Sequence, residues 1–179
     1  MQATDLLHFW FGELDNQRRF AKDAALDAMM RERFGSTLQA AIRGELAHWR
    51  ATPLGRLAEI IVLDQFSRNI FRDQSASFAQ DPQALALAQA LVASGQAITL
   101  APEQRAFAYM PYMHSESLLI HSQAELLFSE AGLEGNLNYE RKHQAIIERF
   151  GRFPHRNAVL GRVSTPEEIA FLQQPGSSF

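Results

Sequence analysis

The sequence predicts an all-α fold built of antiparallel helical hairpins. Three observations lead to this prediction. Apolar residues recur at the helical period of about 3.6 residues, and no segment shows the alternation of a half-buried strand. Proline and short polar residues stand where helices are expected to begin, and glycines stand where they are expected to end. Such helices bury their apolar faces against one another, and short connections favour antiparallel neighbours.

Each predicted helix has its own start and stop signals. In the first predicted helix, apolar residues from Leu26 to Ile42 form one stripe. At the start of the last predicted helix, Thr165 and Glu168 have the spacing of a capping box. Pro111 is expected to break the helix that precedes it. The patterns predict helices over residues 23–43, from 52 onwards, 81–95, 102–109, 115–131, 138–150 and from 164 onwards.

Composition limits the class of protein. A chain of 179 residues that is 46% hydrophobic buries one core, so we expect a single domain over residues 1–174 and a loose tail over 175–179. It contains no cysteine, which excludes disulfides, thiolate zinc sites, iron–sulfur clusters and cysteine nucleophiles. The net charge of -3, from 17 basic and 20 acidic residues, gives no reason to expect nucleic acid as a partner.

No segment predicts export or a membrane span. The start of the chain, MQATDLLHFWFGELD, lacks the basic region of a signal peptide and reaches acidic Asp5 early. No later run approaches the apolar length that a bilayer span requires. We therefore expect a cytoplasmic protein with no membrane partner. The sequence leaves its oligomeric state open.

The strongest local signal is a positively charged stretch near the end of the chain, which we call the Arg-rich segment (residues 148–162). No acidic residue occurs between Glu148 and Glu167. Its charge must be balanced by internal carboxylates, an anionic ligand or water, and the interleaved aromatic residues argue against a purely solvated loop. We expect the positive charge to exceed the available carboxylates. Its basic residues are Arg149, Arg152, His155, Arg156 and Arg162.

A second signal is a pair of charges on an apolar helix face. Asp64 and Arg68 continue, at helical spacing, a face that should be buried. One interpretation is an internal ion pair between residues four apart. The other is that the pair lines a pocket together with Asn69 and Arg72, where arginine supplies a planar donor group suited to phosphate or carboxylate. The residues alone do not choose between the two.

A third signal is the sequence MPYMHSES. His114 and Glu116 follow a proline and precede a helix, where side chains and backbone N–H groups can face a ligand. They could perform acid–base chemistry, or Ser115 and Glu116 could simply cap the helix while His114 is a satisfied interior histidine. Asp64, Glu116 and His143 are also the natural counter-groups for the Arg-rich segment.

Metal and nucleotide motifs give little support for a cofactor. Glu45 and His48, and Glu140 and His143, have the Glu-x-x-His spacing of di-iron bundles, but the first pair lies beyond a predicted helix end. The fingerprints of zinc proteases, serine hydrolases, P-loops and dinucleotide-binding folds do not occur. We therefore predict no cofactor and no metal.

Several strings resemble the domain-of-unknown-function 924 family, in the same order over nearly the whole chain. They are LLHFWFGEL, LDQFSRNIFRD, YMPYMHSES and KHQAIIERFGRFPHRNAVLGRVSTPEEIAFL. The resemblance implies a helical fold of the tetratricopeptide-like kind and brings no established activity. Its motif positions are Asp64, Gln65, Arg68, Asn69, Arg72, His114, Glu116, His143, Arg152, His155, Arg156 and Asn157.

Three functional hypotheses follow. The leading one is a pocket for a small phosphorylated or carboxylated anion, or the acidic end of a peptide. The second is a small hydrolase of an anionic substrate, with Glu116 or Asp64 as general base and His114 or His155 as general acid. The third is a protein-interaction scaffold. The predicted ligand-binding residues are Arg68, Asn69, Arg72, His143, Arg152, His155, Arg156 and Asn157.

Overall fold

A computed structural model describes residues 1–178 and contains helices but no strand within that range. This confirms the predicted all-α class, and the helices form one domain around one main core. The helices are α1 (Ala3–His8), α2 (Asn16–Phe20), α3 (Ala24–Ile42), α4 (Pro53–Ile61), α5 (Ser67–Ile70), α6 (Asp81–Ala93), α7 (Pro102–Met113), α8 (Leu118–Phe128), α9 (Glu134–Phe150) and α10 (Pro166–Leu172).

The predicted start and stop signals act through backbone hydrogen bonds. At α3, the carboxylate of Asp23 accepts from the N–H groups of Ala25 and Leu26. Thr165 and Glu168 form the predicted capping box at α10. Gly151 ends α9 with a φ of 69°, a left-handed conformation that costs other residues steric strain. Side chains therefore satisfy the N–H groups that a helix start leaves unpaired.

The prediction that Pro111 breaks its helix is wrong, because α7 continues through it to Met113. Proline removes one backbone donor and crowds the preceding turn, at a cost of about 3 kcal/mol in a helix interior. The helix is nevertheless buried on both sides of the proline, at Phe107, Met110 and Tyr112. Burial of such side chains contributes about 1.5–3 kcal/mol each, which offsets the cost.

Two other boundaries differ from prediction. Helix α8 begins at Leu118 rather than 115, because Ser117 has an extended backbone. Helix α9 begins at Glu134, ahead of the predicted cap Asn138. There the carboxylate of Glu134 accepts a hydrogen bond of 3.1 Å from the N–H of Gly132. The earlier start lengthens the face that α9 presents to α7.

The core is an aromatic cluster enclosed by α1, α3, α4 and α7. Phe34 and Phe66 have ring centroids 5.1 Å apart, and Trp10 lies 5.5 Å from Phe66. Trp10 also meets Phe107 of α7 edge-on at 5.6 Å. Each of these rings is almost fully buried. Aromatic pairs of this kind add to the energy of burial and fix the angles between helices.

Helices α7, α8 and α9 form consecutive hairpins, so that α7 and α9 run in the same direction. Near their N-terminal ends, Gly132, which precedes α9, lies close to Pro102 of α7. A Cβ atom added to this glycine would be 3.3 Å from the Cβ of Pro102. Near the other end, the ring centroids of His114 and His143 are 6.3 Å apart. This arrangement is compatible with the tetratricopeptide-like fold that the resemblance implies. It gives α7 and α9 a shared face.

Helices α4 and α5 join through a π-helical turn, Val62–Phe66. A π turn contains one residue more than an α turn, which shifts the phase of the following residues. Asp64 and Gln65 lie within it and are buried. The side chain of Arg68 donates a hydrogen bond of 2.7 Å to the backbone carbonyl of Asp64. The turn therefore brings backbone and side-chain polar groups of the predicted pair together.

The predicted loose tail, residues 175–179, is described as far as residue 178. Ser177 is buried, and its hydroxyl donates a hydrogen bond of 3.2 Å to the carbonyl of Leu172. Gly176 and Ser178 contribute to the wall of the main cleft described below. Residue 179 lies outside the described residues.

Candidate functional site

A cleft of about 1020 Å³ has the shared face of α7 and α9 as its floor. Lining residues recur at helical spacing along both helices, which is why two parallel helices form a continuous wall. Helix α7 contributes Glu103, Ala106, Phe107, Met110 and Met113, and His114 follows it. Helix α9 contributes Gly135, Asn136, Tyr139, Lys142 and His143.

Most of the predicted site residues meet at one end of this cleft. Asp64, Glu116, Arg152 and Asn157 do not line it, and they support it from behind or lie beyond it. The predicted residues that do line it are Arg68, Asn69, Arg72, His114, His143, His155 and Arg156.

Asp64 and His114 form a buried pair at this polar end. The Nδ1 of His114 donates to a carboxylate oxygen of Asp64 at 2.7 Å, and Gln65 donates to the other oxygen at 2.6 Å. Burial raises the pKa of Asp64, but Arg68 and His114 outweigh it and hold that pKa well below its usual range. Burial, assisted by the charge of Arg68, lowers the pKa of His114. The imidazole is therefore neutral at pH 7, with Nδ1 occupied and Nε2 left as a base.

Arg68 and Arg156 share one carboxylate. Both terminal nitrogens of Arg68 donate to Asp81, at 2.9 and 3.0 Å, and Arg156 donates to the same carboxylate at 3.0 Å. Arg68 also lies 3.2 Å from a carboxylate oxygen of Asp64, so the predicted i,i+4 ion pair exists. Two arginines and two carboxylates thus form one network, of which only Arg68 and Arg156 line the cleft. The interpretation of Asp64 and Arg68 as an internal ion pair is therefore correct, and of the two only Arg68 also reaches the pocket.

The guanidinium of Arg156 is held between two aromatic rings. Its central carbon is 4.6 Å from the ring centroid of Phe78 and 4.6 Å from that of Phe153. One terminal nitrogen donates to the carbonyl of His114 at 3.0 Å. Its Nε is buried and has no hydrogen-bond partner within residues 1–178. Burial lowers the pKa of Arg156 to about 10, which leaves it charged at neutral pH.

Two further histidines line the same end and are neutral. The Nδ1 of His143 donates to the carbonyl of Tyr139 at 2.8 Å, as part of α9. Burial lowers the pKa of His143 to about 3. Burial and the neighbouring charges of Arg156 and Arg68 lower the pKa of His155 to about 4. These shifts report a region in which an additional positive charge is unfavourable.

Two other arginines of the Arg-rich segment, Arg152 and Arg162, do not line the cleft and have carboxylate partners. Arg162 binds Glu116 through two hydrogen bonds of 2.6 and 2.9 Å, and Glu116 also accepts from the N–H of Phe153 at 2.7 Å. Arg152 binds the two oxygens of Glu168 at 2.7 and 2.9 Å. Glu116, predicted as a general base, therefore has its oxygens engaged outside the cleft. It holds the segment against the domain.

Asn157 and Arg149 complete the Arg-rich segment. The amide of Asn157 donates to Glu168 at 3.2 Å and its oxygen accepts from Arg162 at 2.9 Å. Arg149 has no carboxylate partner among residues 1–178 and instead lies 4.7 Å from the ring centroid of Phe150. Neither residue lines the cleft.

Arg72 and Asn69 are joined to α3. Arg72 forms a bidentate ion pair with Asp27, and the amide of Asn69 donates to the same carboxylate at 2.9 Å. Burial alone would raise the pKa of Asp27, but the hydrogen bonds from Arg72 and Asn69 have the larger effect. The pKa of Asp27 is therefore lower than its usual value. The side chains of Arg72 and Asn69 still reach the cleft wall.

Three important carboxylates were missed by the sequence analysis. Asp27, Asp81 and Glu168 stand in the first turns of helices, where acidic residues are expected for local reasons. Their long-range partners are far away along the chain, so no local pattern reveals them. These three residues reduce the expected excess of arginines over carboxylates, because they pair with Arg72, with Arg68 and Arg156, and with Arg152.

The two Glu-x-x-His motifs do not form a common site. Glu45 is exposed and pairs with Arg43, while Glu140 pairs with His121 between α8 and α9. Within residues 1–178, no group of three or more His, Cys, Asp or Glu side chains is arranged to hold a metal ion. The same part of the chain has no helix with the length and apolar content needed to cross a bilayer.

Comparisons with known proteins agree with the resemblance noted from the motifs. A family model described as "Bacterial protein of unknown function (DUF924)" matches residues 6–176. The solved structure of ATU0120, a protein of unknown function from Agrobacterium tumefaciens, is similar with a TM-score of 0.90 and 37% identity, covering 96% of each chain. A search of curated proteins gives no match. The chain belongs to the DUF924 family of bacterial proteins.

Proposed function

We propose that the cleft binds a small anion, phosphorylated or carboxylated, or the acidic end of a peptide. The observation that carries the proposal is Arg156, which lines the cleft and whose guanidinium is fixed between two aromatic rings. The planar donor group of arginine suits the oxygens of phosphate and carboxylate. Because the guanidinium is already ordered, binding costs little side-chain entropy.

The charge on the cleft wall supports the same proposal. Its carboxylates are Asp73 and Glu103, and its basic side chains outnumber them. Lys22 and Lys142 are exposed at the wall and have no ion-pair partner within the described part of the chain. The carboxylates that neutralise Arg68 and Arg72 lie behind the wall. A ligand therefore meets the cations first. The basic residues of the wall are Arg19, Lys22, Arg68, Arg72, Lys142 and Arg156.

The test is calorimetric titration at pH 7 and low salt with inorganic phosphate, pyrophosphate and citrate. We expect Arg156→Gln to weaken binding at least about tenfold, because a charge-assisted contact contributes about 1.5–3 kcal/mol. Arg162→Gln is the matched control, since it removes the same charge from the same segment outside the cleft. If both variants weaken binding equally, or if none of the three probes binds the wild type, the anion site is wrong.

A second candidate is hydrolysis of the bound anion, which the Asp64–His114 pair favours. Asp64 fixes the imidazole tautomer, so that Nε2 can accept a proton from water while the arginines stabilise negative charge on the substrate. Turnover of p-nitrophenyl phosphate or p-nitrophenyl acetate should then fall at least about hundredfold in His114→Gln. Turnover equal to that of wild type in this variant would exclude the pair as the base. A cytoplasmic location stays a prediction.

A further inference from the structure

The cleft extends well beyond the end that holds Arg68 and Arg156. Between Glu103 and His114, the face of α7 consists of buried apolar side chains, and the residues that carry it are Ala106, Phe107, Met110 and Met113. The face from Ala106 to Met113 is about 10 Å long at 1.5 Å per residue. At its C-terminal end, His114 holds Asp64 and Arg156 contacts the carbonyl of His114. At its N-terminal end, Glu103 pairs with Arg19, so the apolar stretch lies between two charged groups.

Two aromatic side chains stand at the open side of this apolar stretch. Phe20 is 57% exposed and stacks on Phe107 with an interplanar angle of 8°. Tyr139 is also 57% exposed and lines the wall from α9. Large rings exposed beside a buried apolar face are costly to leave in water and are typical of ligand-binding grooves. They provide apolar surface on both sides of the stretch.

The size of the cleft exceeds what an inorganic anion needs. Its volume of about 1020 Å³ is at the upper end of pockets that enclose drug-sized ligands. A phosphate or carboxylate group bound at Arg156 would leave the stretch from Ala106 to Met113 filled by water alone. Water gains few hydrogen bonds there, because the lining offers mainly carbon and thioether atoms.

We propose that the ligand is an amphipathic anion, with a carboxylate or phosphate head at Arg68 and Arg156 and an unbranched or aromatic hydrocarbon body along α7. This inference rests on the proposed anion site and specifies its ligand class. The methionines at 110 and 113 are flexible and polarisable, and they suit an elongated hydrocarbon of variable shape. Gln65 marks the boundary between the two parts, since its amide contacts both Asp64 and the sulfur of Met110.

The test is calorimetric titration with butyrate, hexanoate, octanoate and decanoate, each below its micelle concentration. We expect affinity to rise about fourfold for each methylene that becomes buried, and to level off once the body is longer than the apolar stretch. Octyl phosphate compared with octanoate distinguishes the two head groups, because the preferred head binds more tightly at equal body length. Equal affinity across the carboxylate series overturns the inference.

A variant that shortens the stretch provides a second test. Ala106→Leu places a larger side chain at the end of the stretch that is farthest from Arg156, so the ratio of decanoate to butyrate affinity should fall about tenfold. Ala47→Leu, at an exposed alanine outside the cleft, is the matched control and should leave the ratio unchanged. Should Ala106→Leu not fold, Phe20→Ala at the exposed rim replaces it with the same expected direction. An unchanged ratio in the folded variant overturns the inference.

Failure of this inference can be told apart from failure of the anion site. If phosphate and butyrate bind with the dependence on Arg156 described above, but affinity does not change with chain length, the anion site stands and the hydrocarbon body is wrong. If phosphate, pyrophosphate, citrate and the whole carboxylate series leave the wild type unbound, both proposals are wrong.

Discussion

The Arg-rich segment has two sides that differ in what their arginines contact. On the outer side, Arg152 and Arg162 each bind both oxygens of one carboxylate. On the cleft side, Arg156 shares Asp81 with Arg68 and lies between two rings with its Nε unsatisfied within residues 1–178. A bidentate pair uses the donor geometry of the guanidinium fully, whereas a shared carboxylate does not. Arginines of one short segment can therefore have different surroundings, so that Arg152 and Arg162 fasten the segment while Arg156 faces the cleft.

The largest effect is expected from Asp81→Asn, which removes the carboxylate shared by the cleft arginines. Unfolding free energy should fall by about 3 kcal/mol, because two mostly buried guanidinium groups lose the carboxylate that they share. Anion affinity should rise about tenfold, since less negative charge competes with the ligand. Urea denaturation and phosphate titration measure the two effects. Glu32→Gln, at an exposed helix position, is the control, and a loss of stability without a gain in affinity would mean that the network is purely structural.

Glu116→Gln tests the outer side. This substitution weakens the ion pair with Arg162 and the hydrogen bond that the carboxylate accepts from the N–H of Phe153. We therefore expect a loss of about 2 kcal/mol in unfolding free energy. Anion affinity should change less than about twofold once the protein is folded, because Glu116 does not line the cleft. A large loss of affinity with unchanged stability would contradict the division into two sides. It would also support the hypothesis that Glu116 is a general base.

The neutral histidines predict a loss of stability in acid. The folded pKa of His143 is about 3, below its ordinary value of 6.5, so the unfolded chain binds a proton that the folded chain excludes. Stability is therefore complete above pH 6.5 and falls as the pH decreases toward 3, by about 2 kcal/mol at pH 5 for this residue. Denaturation of His143→Gln between pH 7.5 and 5 should show a shallower decline. The exposed His48→Gln should retain the wild-type slope, and equal slopes in all three proteins would refute the assignment.

The smallest effect is expected from Arg149→Gln. Arg149 is exposed, lies near the rings of Phe150 and Phe171, and has no side-chain ion pair among the described residues. Stability should change by less than about 0.5 kcal/mol, as for most surface substitutions. Phosphate affinity should also be unchanged within about twofold. A marked drop in affinity would show that the whole segment, rather than Arg156 alone, attracts the anion.

The fold was largely predictable because helix starts and ends depend on neighbouring residues. Asp23, Thr165 and Gly151 act on backbone groups within a few positions of themselves. Pro111 was misjudged because tertiary burial outweighs a local preference. The polar positions of the cleft were also visible, since Asp64 and Arg68 interrupt an apolar face. Their partner Asp81 was not visible, because it resembles any acidic residue at a helix start.

The π turn at Val62–Phe66 constrains how the gene for this protein can change. Deleting one codon within the turn would restore α-helical spacing and rotate every following residue of the helix by about 100°. Arg68 would then leave Asp81, and Asn69 would leave Asp27, although no residue of the network had been altered. An ordinary substitution removes one contact, but this deletion would remove several together. We therefore expect deletion of one residue from the turn to be more damaging than substitution of any single residue within it.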